Sequence, residues 1–192
     1  TSMVMKMITL HIDLGAVFMS RGEYEVALKN YYTALRFADA KGFVIQVIDI
    51  EVRLGWVNYH LGEYQQALEF AKKSLAKATQ INISDRIANA YTLLGVTYTE
   101  TKNFVEAEKY LDEVLKIRTR KDDPTTVSEA YLNLGYLKER QKNYSAAREY
   151  YTASIEAGKK TDYWQGLAWS TTGLGNVSMI MADYTQATKL FD

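Results

Sequence analysis

Glycine stands at positions 15, 55, 95, 135 and 175, each directly after a leucine, and every interval is 40 residues. Two more columns keep the same step. One is aromatic (Tyr24, Tyr64, Phe104, Tyr144, Tyr184) and the other is alanine (Ala27, Ala67, Ala107, Ala147, Ala187). A fixed period of this length, held without an insertion, marks a solenoid of stacked units in which no single unit buries its apolar face alone. The 192 residues divide into about five such units, predicted at 4–41, 44–81, 84–121, 124–161 and 164–192, the last truncated. They are read together as one domain. Such an array presents a surface more readily than a reaction centre.

Each unit reads as two helices joined by a short polar turn. From Tyr24 onward, Ala27, Leu28, Tyr31, Ala34, Leu35 and Ala38 recur at spacings of three and four, which places them on one helical face. The turns read Arg21-Gly22-Glu23, Leu61-Gly62-Glu63, Lys102-Asn103, Lys142-Asn143 and Ala182-Asp183, with Asn and Asp suited to cap a following helix. Pro124 after Asp123 is the arrangement that opens a helix. No segment reads as a strand. Glycine inside a helix costs about 1 kcal/mol relative to alanine, so its recurrence implies close approach by another helix. The alanine column implies the same, because a larger side chain there would overpack by roughly 1–3 kcal/mol.

Lys+Arg and Asp+Glu both number 23. A neutral chain is not expected to have nucleic acid as its main partner, since phosphate binding relies on a positive excess. The absence of cysteine excludes disulfides and cysteine-ligated zinc; it allows a reducing compartment without proving one, and a cytoplasmic setting is expected. No run of about 18 uncharged apolar residues is present, so no membrane span is expected. His11 and His60 are the only imidazoles and lack a second histidine at ligand spacing, so neither a metal nor another cofactor is expected. His11 is assigned a structural role. Gly173-Leu174-Gly175 lies inside a helical pattern with no strand before it, which is the wrong context for a phosphate loop. No nucleophile elbow or acid–base pair stands out, and the chain is not expected to be an enzyme.

The third unit carries Tyr91-x-x-Leu94-Gly95-x-x-Tyr98 and then Ala107-x-x-x-Leu111; the first carries His11-x-x-Leu14-Gly15-x-x-Phe18 and then Ala27-x-x-x-Tyr31. This pattern resembles the tetratricopeptide repeat, in its longer variety of roughly 40 residues. Two departures stand out: Asn58, Lys138 and Ser178 replace the tyrosine that follows Leu-Gly, and the closing proline is missing throughout. The resemblance implies an all-α, right-handed superhelix whose first helices line a concave groove. It also implies that the groove holds an extended peptide or a partner helix. The groove columns fall on Asp49, Trp56, Tyr59 and His60 in the second unit and on Asn89 and Glu100 in the third. In the fourth they fall on Glu129, Tyr136, Glu139 and Arg140, and in the fifth on Trp169 and Asn176. Trp56, Tyr59, Tyr136 and Trp169 have the chemistry of binding anchors, although packing against the neighbouring unit is the competing role, above all for Trp169.

The family's clamp for a C-terminal carboxylate needs Lys, Asn and Arg together, and Arg140 is the sole cation among these residues. An amphipathic or basic segment suits the carboxylates better. A protein–protein interaction scaffold is therefore the leading reading; the alternative is the sensor of a larger transcription regulator, NTPase or protease that binds a small ligand or signalling peptide. The start at Thr1-Ser2-Met3 and the stop at Asp192, inside an ordinary repeat, lead us to expect flanking repeats or domains. End-to-end self-association or a homodimer through uncapped terminal repeats is also expected.

Overall fold

A computed structural model of the chain describes residues 2–161 and 163–181, and among these every regular element is an α-helix. The chain divides into two compact units, Thr1–Thr97 and Tyr98–Asp192. In the first, α1 (Met3–Ser20), α2 (Tyr24–Ala40), α3 (Val44–His60) and α4 (Tyr64–Gln80) follow one another, with α1 packed on α2, α2 on α3 and α3 on α4. The boundary falls within α5 (Ser84–Glu100). The second unit holds the end of α5 with α6 (Phe104–Lys121), α7 (Pro124–Arg140), α8 (Tyr144–Gly158) and α9 (Trp164–Ile180). There α7 packs on α6, on α8 and, past it, on α9. The fold class is the expected one, an α-solenoid of helical hairpins. Ala182, Asp183, Tyr184 and Ala187, which continue the turn, aromatic and alanine columns, lie outside the described residues, as does the stop at Asp192.

Several of the helical glycines are sockets for a neighbouring side chain. Gly15, Gly55, Gly95, Gly135 and Gly175 are all buried, and Ala27, Ala67, Ala107 and Ala147 are wholly so. A methyl group placed on Gly15 would stand 2.5 Å from the Tyr31 ring, and one on Gly135 2.6 Å from the Tyr151 ring. In both cases the intruder is the second helix of the same hairpin. At Gly55 the occupant differs. Ala71 holds the position equivalent to Tyr31, and the space is taken by Leu93, whose Cδ2 a methyl on Gly55 would strike. The fourth hairpin and α9 invert this choice, because Gly173 stands where α5 has Leu93. A methyl on Gly173 would lie 2.5 Å from Tyr151 Cζ, so one phenol ring occupies two glycine sockets. Volume is shared: Ala71 goes with Leu93, and Tyr151 goes with Gly173.

The aromatic column closes hairpin ends and also reaches onward. Tyr64 meets Tyr59 of its own hairpin, 5.8 Å between centroids, but Tyr24 stacks parallel on His60 of the following one at 5.7 Å. Phe104 packs against Ala107, Leu111, Leu134 and Leu137. Two of the departures from the repeat pattern also have a local cause. Lys138 pairs with Glu108 at 2.6 Å, and Glu108 stands where the first two hairpins have Leu28 and Leu68. Asn58 turns its amide back onto the Leu54 carbonyl at 2.7 Å.

Each of the seven turns from α1 through α8 spends one residue in the left-handed region: Gly22, Gly42, Gly62, Asn82, Lys102, Asp122 and Lys142, with φ between 53° and 79°. The backbone reverses there through bonds such as Glu23 N–H to the Phe18 carbonyl at 2.9 Å and Asn103 N–H to that of Tyr98 at 2.9 Å, the pattern of a helix closed by a left-handed residue. Glycine accepts that φ freely, whereas Lys102 and Lys142 hold it against a steric cost of about 1–2 kcal/mol. Asp123 caps α7 as expected, accepting from Thr125 N–H at 3.1 Å. Asn143 caps α8 from Ala146 N–H at 3.3 Å. Asn103, Glu23 and Glu63 make no side-chain cap bond.

One expectation needs correction. By length and composition α1 is long and apolar enough to cross a membrane, with a mean hydropathy of 1.4 over its 18 residues, and it does so while carrying Lys6 and Asp13. Requiring an uncharged run overlooked it. Here its inner face, including Ile8 and Gly15, packs on α2.

Shared volume predicts coupling between Tyr151 and Gly173. Gly173→Leu should destabilise the chain by about 2 kcal/mol through overpacking, and Tyr151→Ala by about 3–5 kcal/mol through a cavity. Together they rebuild the Ala71/Leu93 arrangement and should cost at least about 1 kcal/mol less than the sum. Urea denaturation of the four proteins reads this, and simple additivity would contradict it.

Candidate functional site

In the second unit, α7 gathers carboxylates and phenols into fixed pairs. Tyr136 donates its hydroxyl to Glu100 Oε1 at 2.5 Å. The other carboxylate oxygen of Glu100 lies 3.6 Å from Arg140 Nη2, and the Arg140 guanidinium sits over the Tyr136 ring at 5.9 Å. Tyr151 donates to Glu139 Oε2 at 2.6 Å. Tyr163, just ahead of α9, bonds Glu129. Burial and the Glu100 hydrogen bond push the Tyr136 phenol up to about 12. Tyr151 is raised further by burial and Glu139, and Tyr163 by burial and the Glu129 charge. All three phenols therefore stay protonated at neutral pH and serve as donors. These pairs bring together Glu100, Glu129, Tyr136, Glu139 and Arg140 from the groove columns. Arg140 is not a free cation waiting for a carboxylate.

Residues in these columns on α9 are open. Trp169 is 69% exposed, and Asn176 is also exposed. Trp169 thus stands clear of the packing that a core tryptophan would make, beside a helix, α7, whose polar side chains are already oriented.

In the first unit the corresponding residues form an aromatic cluster. Trp56 is half-buried, with the Tyr59 ring edge-on at 5.5 Å and His60 at 6.4 Å. His60 lies at the rim, stacked on Tyr24, and its partial burial holds the imidazole pKa below the ordinary value. Asp49 binds Arg86 Nη2 at 2.9 Å, and Asn89 is exposed. His11 is structural in its contacts: Nδ1 donates to Asn30 Oδ1 at 3.0 Å, and the ring stacks near Phe37.

Sequence reasoning missed Tyr151, Tyr163 and Arg86, the three partners that fix the charged groups. One signal was present for Tyr151: a large residue in a column that holds alanine at 71, opposite a glycine. For Tyr163 and Arg86 no repeat column pointed to the role. No group of three or more His, Cys, Asp or Glu side chains suited to a metal occurs among the described residues.

The model of a tetratricopeptide repeat matches residues 6–80, 46–120 and 86–160, which jointly span most of the sequence. The chain belongs to the tetratricopeptide repeat family. Solved structures agree on the fold. A Rap protein complexed with competence and sporulation factor superposes with a TM-score of 0.91 at 15% identity, covering 100% of this chain and 54% of the other. NprR in complex with its cognate peptide NprX gives 0.79 at 18% identity, with 99% and 55% covered. A multidomain signal transduction ATPase from Pyrococcus horikoshii with a tetratricopeptide repeat sensor gives 0.78 at 20%, with 94% and 28% covered. This tetratricopeptide chain therefore spans about half the length, or less, of these three proteins. No curated protein matches its sequence.

The raised phenol has a consequence for stability. Because Tyr136 ionises near 12 when folded and near 10 when unfolded, its contribution is intact below pH ~10 and is lost as pH climbs toward 12. Wild type should lose stability relative to Tyr136→Phe across that window in urea unfolding at stepped pH. A constant difference between the two proteins would refute the pairing with Glu100.

Proposed function

We propose that this chain is a binding module that holds a peptide or partner helix against its first helices and performs no chemistry of its own. The observation that carries the reading is the exposed Trp169, 69% accessible, on α9, a helix that packs on α7, whose Glu129, Tyr136, Glu139 and Arg140 are held by hydrogen bonds and ring contacts. A large exposed aromatic ring on a helix that packs against oriented polar groups has the make-up of a binding hot spot. Glu100, Glu129 and Glu139 outnumber the one guanidinium, which favours a segment carrying lysine or arginine. Two structural neighbours support the choice of ligand class, since each is described in complex with a peptide or factor. Charge complementarity of this kind governs which partner is accepted and how fast it arrives, more than raw affinity.

A second reading is favoured by the ATPase neighbour, where the repeat array is named as a sensor. In that reading the same face takes a small ligand or signalling peptide as one part of a larger switch. An adjoining nucleotide-binding, DNA-binding or protease domain in the full-length sequence would support it.

Selection of random display peptides against the 192-residue chain, followed by fluorescence titration of the enriched sequences, tests the proposal. Basic amphipathic peptides should emerge. Trp169→Ala should weaken them at least ~10-fold, and lysine in place of Glu129 and Glu139 should cost as much at low salt and less at high salt. No saturable peptide, or affinity indifferent to Trp169, would sink the reading.

A further inference from the structure

α1 leaves one of its faces open. Met3, Leu10, Leu14 and Val17 are 79%, 55%, 37% and 45% exposed. The equivalent residues one repeat later, Ile50, Leu54 and Val57, are all 0% exposed and pack in one cluster with Ala27, Tyr31, Ala34 and Ala38 of α2. The same columns are thus core in α3 and bare in α1.

With half-buried Met7 added, the residues of this face run 3, 7, 10, 14 and 17, alternating steps of four and three. That is the seam of a two-stranded coiled coil. The position flanking the seam on its solvent side recurs at Lys6 and Asp13, both exposed, with no ion pair to either among the described residues. The opposite flank carries Val4, His11 and Phe18, which face the hairpin's own core or α2 and bear no carboxylate or ammonium. A parallel partner would set Lys6 and Asp13 against that uncharged, occupied flank. An antiparallel partner sets like flanks together.

We propose that two copies of this chain pair through α1, antiparallel about a two-fold axis between Met7 and Leu10. Met3 then faces Leu14 of the second copy and Met7 faces its Leu10. Lys6 meets Asp13 of the second copy, and by symmetry the pair forms twice, as an isologous contact requires. Shifting the register by one heptad brings Asp13 against Asp13 of the other copy, so charge selects the first register.

Sedimentation velocity and equilibrium on the full chain read the outcome, with circular dichroism confirming that each variant keeps its fold. A dimer should form at concentrations up to about 100 µM, where even a modest apolar seam associates. Leu10→Glu should abolish it. Lys6→Glu alone and Asp13→Lys alone each turn two attractions into repulsions and should raise the dissociation constant by about 10-fold at low salt. The double variant Lys6→Glu/Asp13→Lys restores both pairs and should return to within about 3-fold of wild type. A monomer throughout the range, or a dimer that Leu10→Glu leaves unchanged, overturns the proposal; so does a double variant no better than the singles. Binding of the wild-type chain to phosphatidylcholine/phosphatidylglycerol vesicles, lost in Leu10→Glu, would assign the face to a membrane and overturn it equally.

Discussion

A ring seated where a glycine leaves no side chain is the contact on which this structure rests. Tyr31 on Gly15 and Tyr151 on both Gly135 and Gly173 are such rings, and Leu93 takes the same place on Gly55; each fills space in which a methyl group on the glycine would clash. The glycine weakens its own helix by about 1 kcal/mol. The seated side chain returns more than that, since burying a large apolar residue is worth about 1.5–3 kcal/mol. Locally poor helix formers are therefore retained because they let one helix approach the next. Because each hairpin shares volume with its successor, as Tyr151 does between α8 and α9, the stability of neighbouring repeats is tied together.

The same contact organises the polar face. Tyr151 reaches Glu139 with its hydroxyl at 2.6 Å while its ring fills the two sockets. A residue whose ring is buried among glycines thus fixes a carboxylate among the groove columns. Tyr136 does a parallel service for Glu100. Core packing and the orientation of surface charge are consequently one problem in the second unit. In the first unit the corresponding positions are knitted by aromatic contacts around Trp56 and by the Asp49–Arg86 pair. Each unit thus presents a face of different chemistry built on the same helical columns.

Much of the fold was legible because the small-residue columns repeat without a break. Helix pairs, turn positions and the burial of Gly15 through Gly175 follow from a period of 40. The left-handed turns were only half legible. Gly22, Gly42 and Gly62 advertise a positive φ, but Lys102 and Lys142 adopt it without any such sign, because the repeat geometry imposes the conformation whatever the residue. Of the site, the column positions were readable and the partners were not. Glu100 to Tyr136 spans 36 residues and Tyr151 to Glu139 spans 12, and the residue types in those columns change from repeat to repeat. Periodicity reveals only what recurs. The amphipathic breadth of α1 was visible, yet its fitness for a membrane by length and composition escaped a criterion that demanded no charge.

The sequence by itself determined that the chain is an all-helical array of hairpins in the tetratricopeptide pattern, since backbone periodicity and side-chain size at fixed spacing are local, repeated properties. Only the tertiary structure decided which side chain fills each glycine socket, which phenol holds which carboxylate, and that Trp169 stands open while Trp56 is packed. Those outcomes depend on volume and hydrogen-bond geometry shared between the helices of one hairpin and its neighbours, and the repeat period does not encode them because the residues involved change from unit to unit.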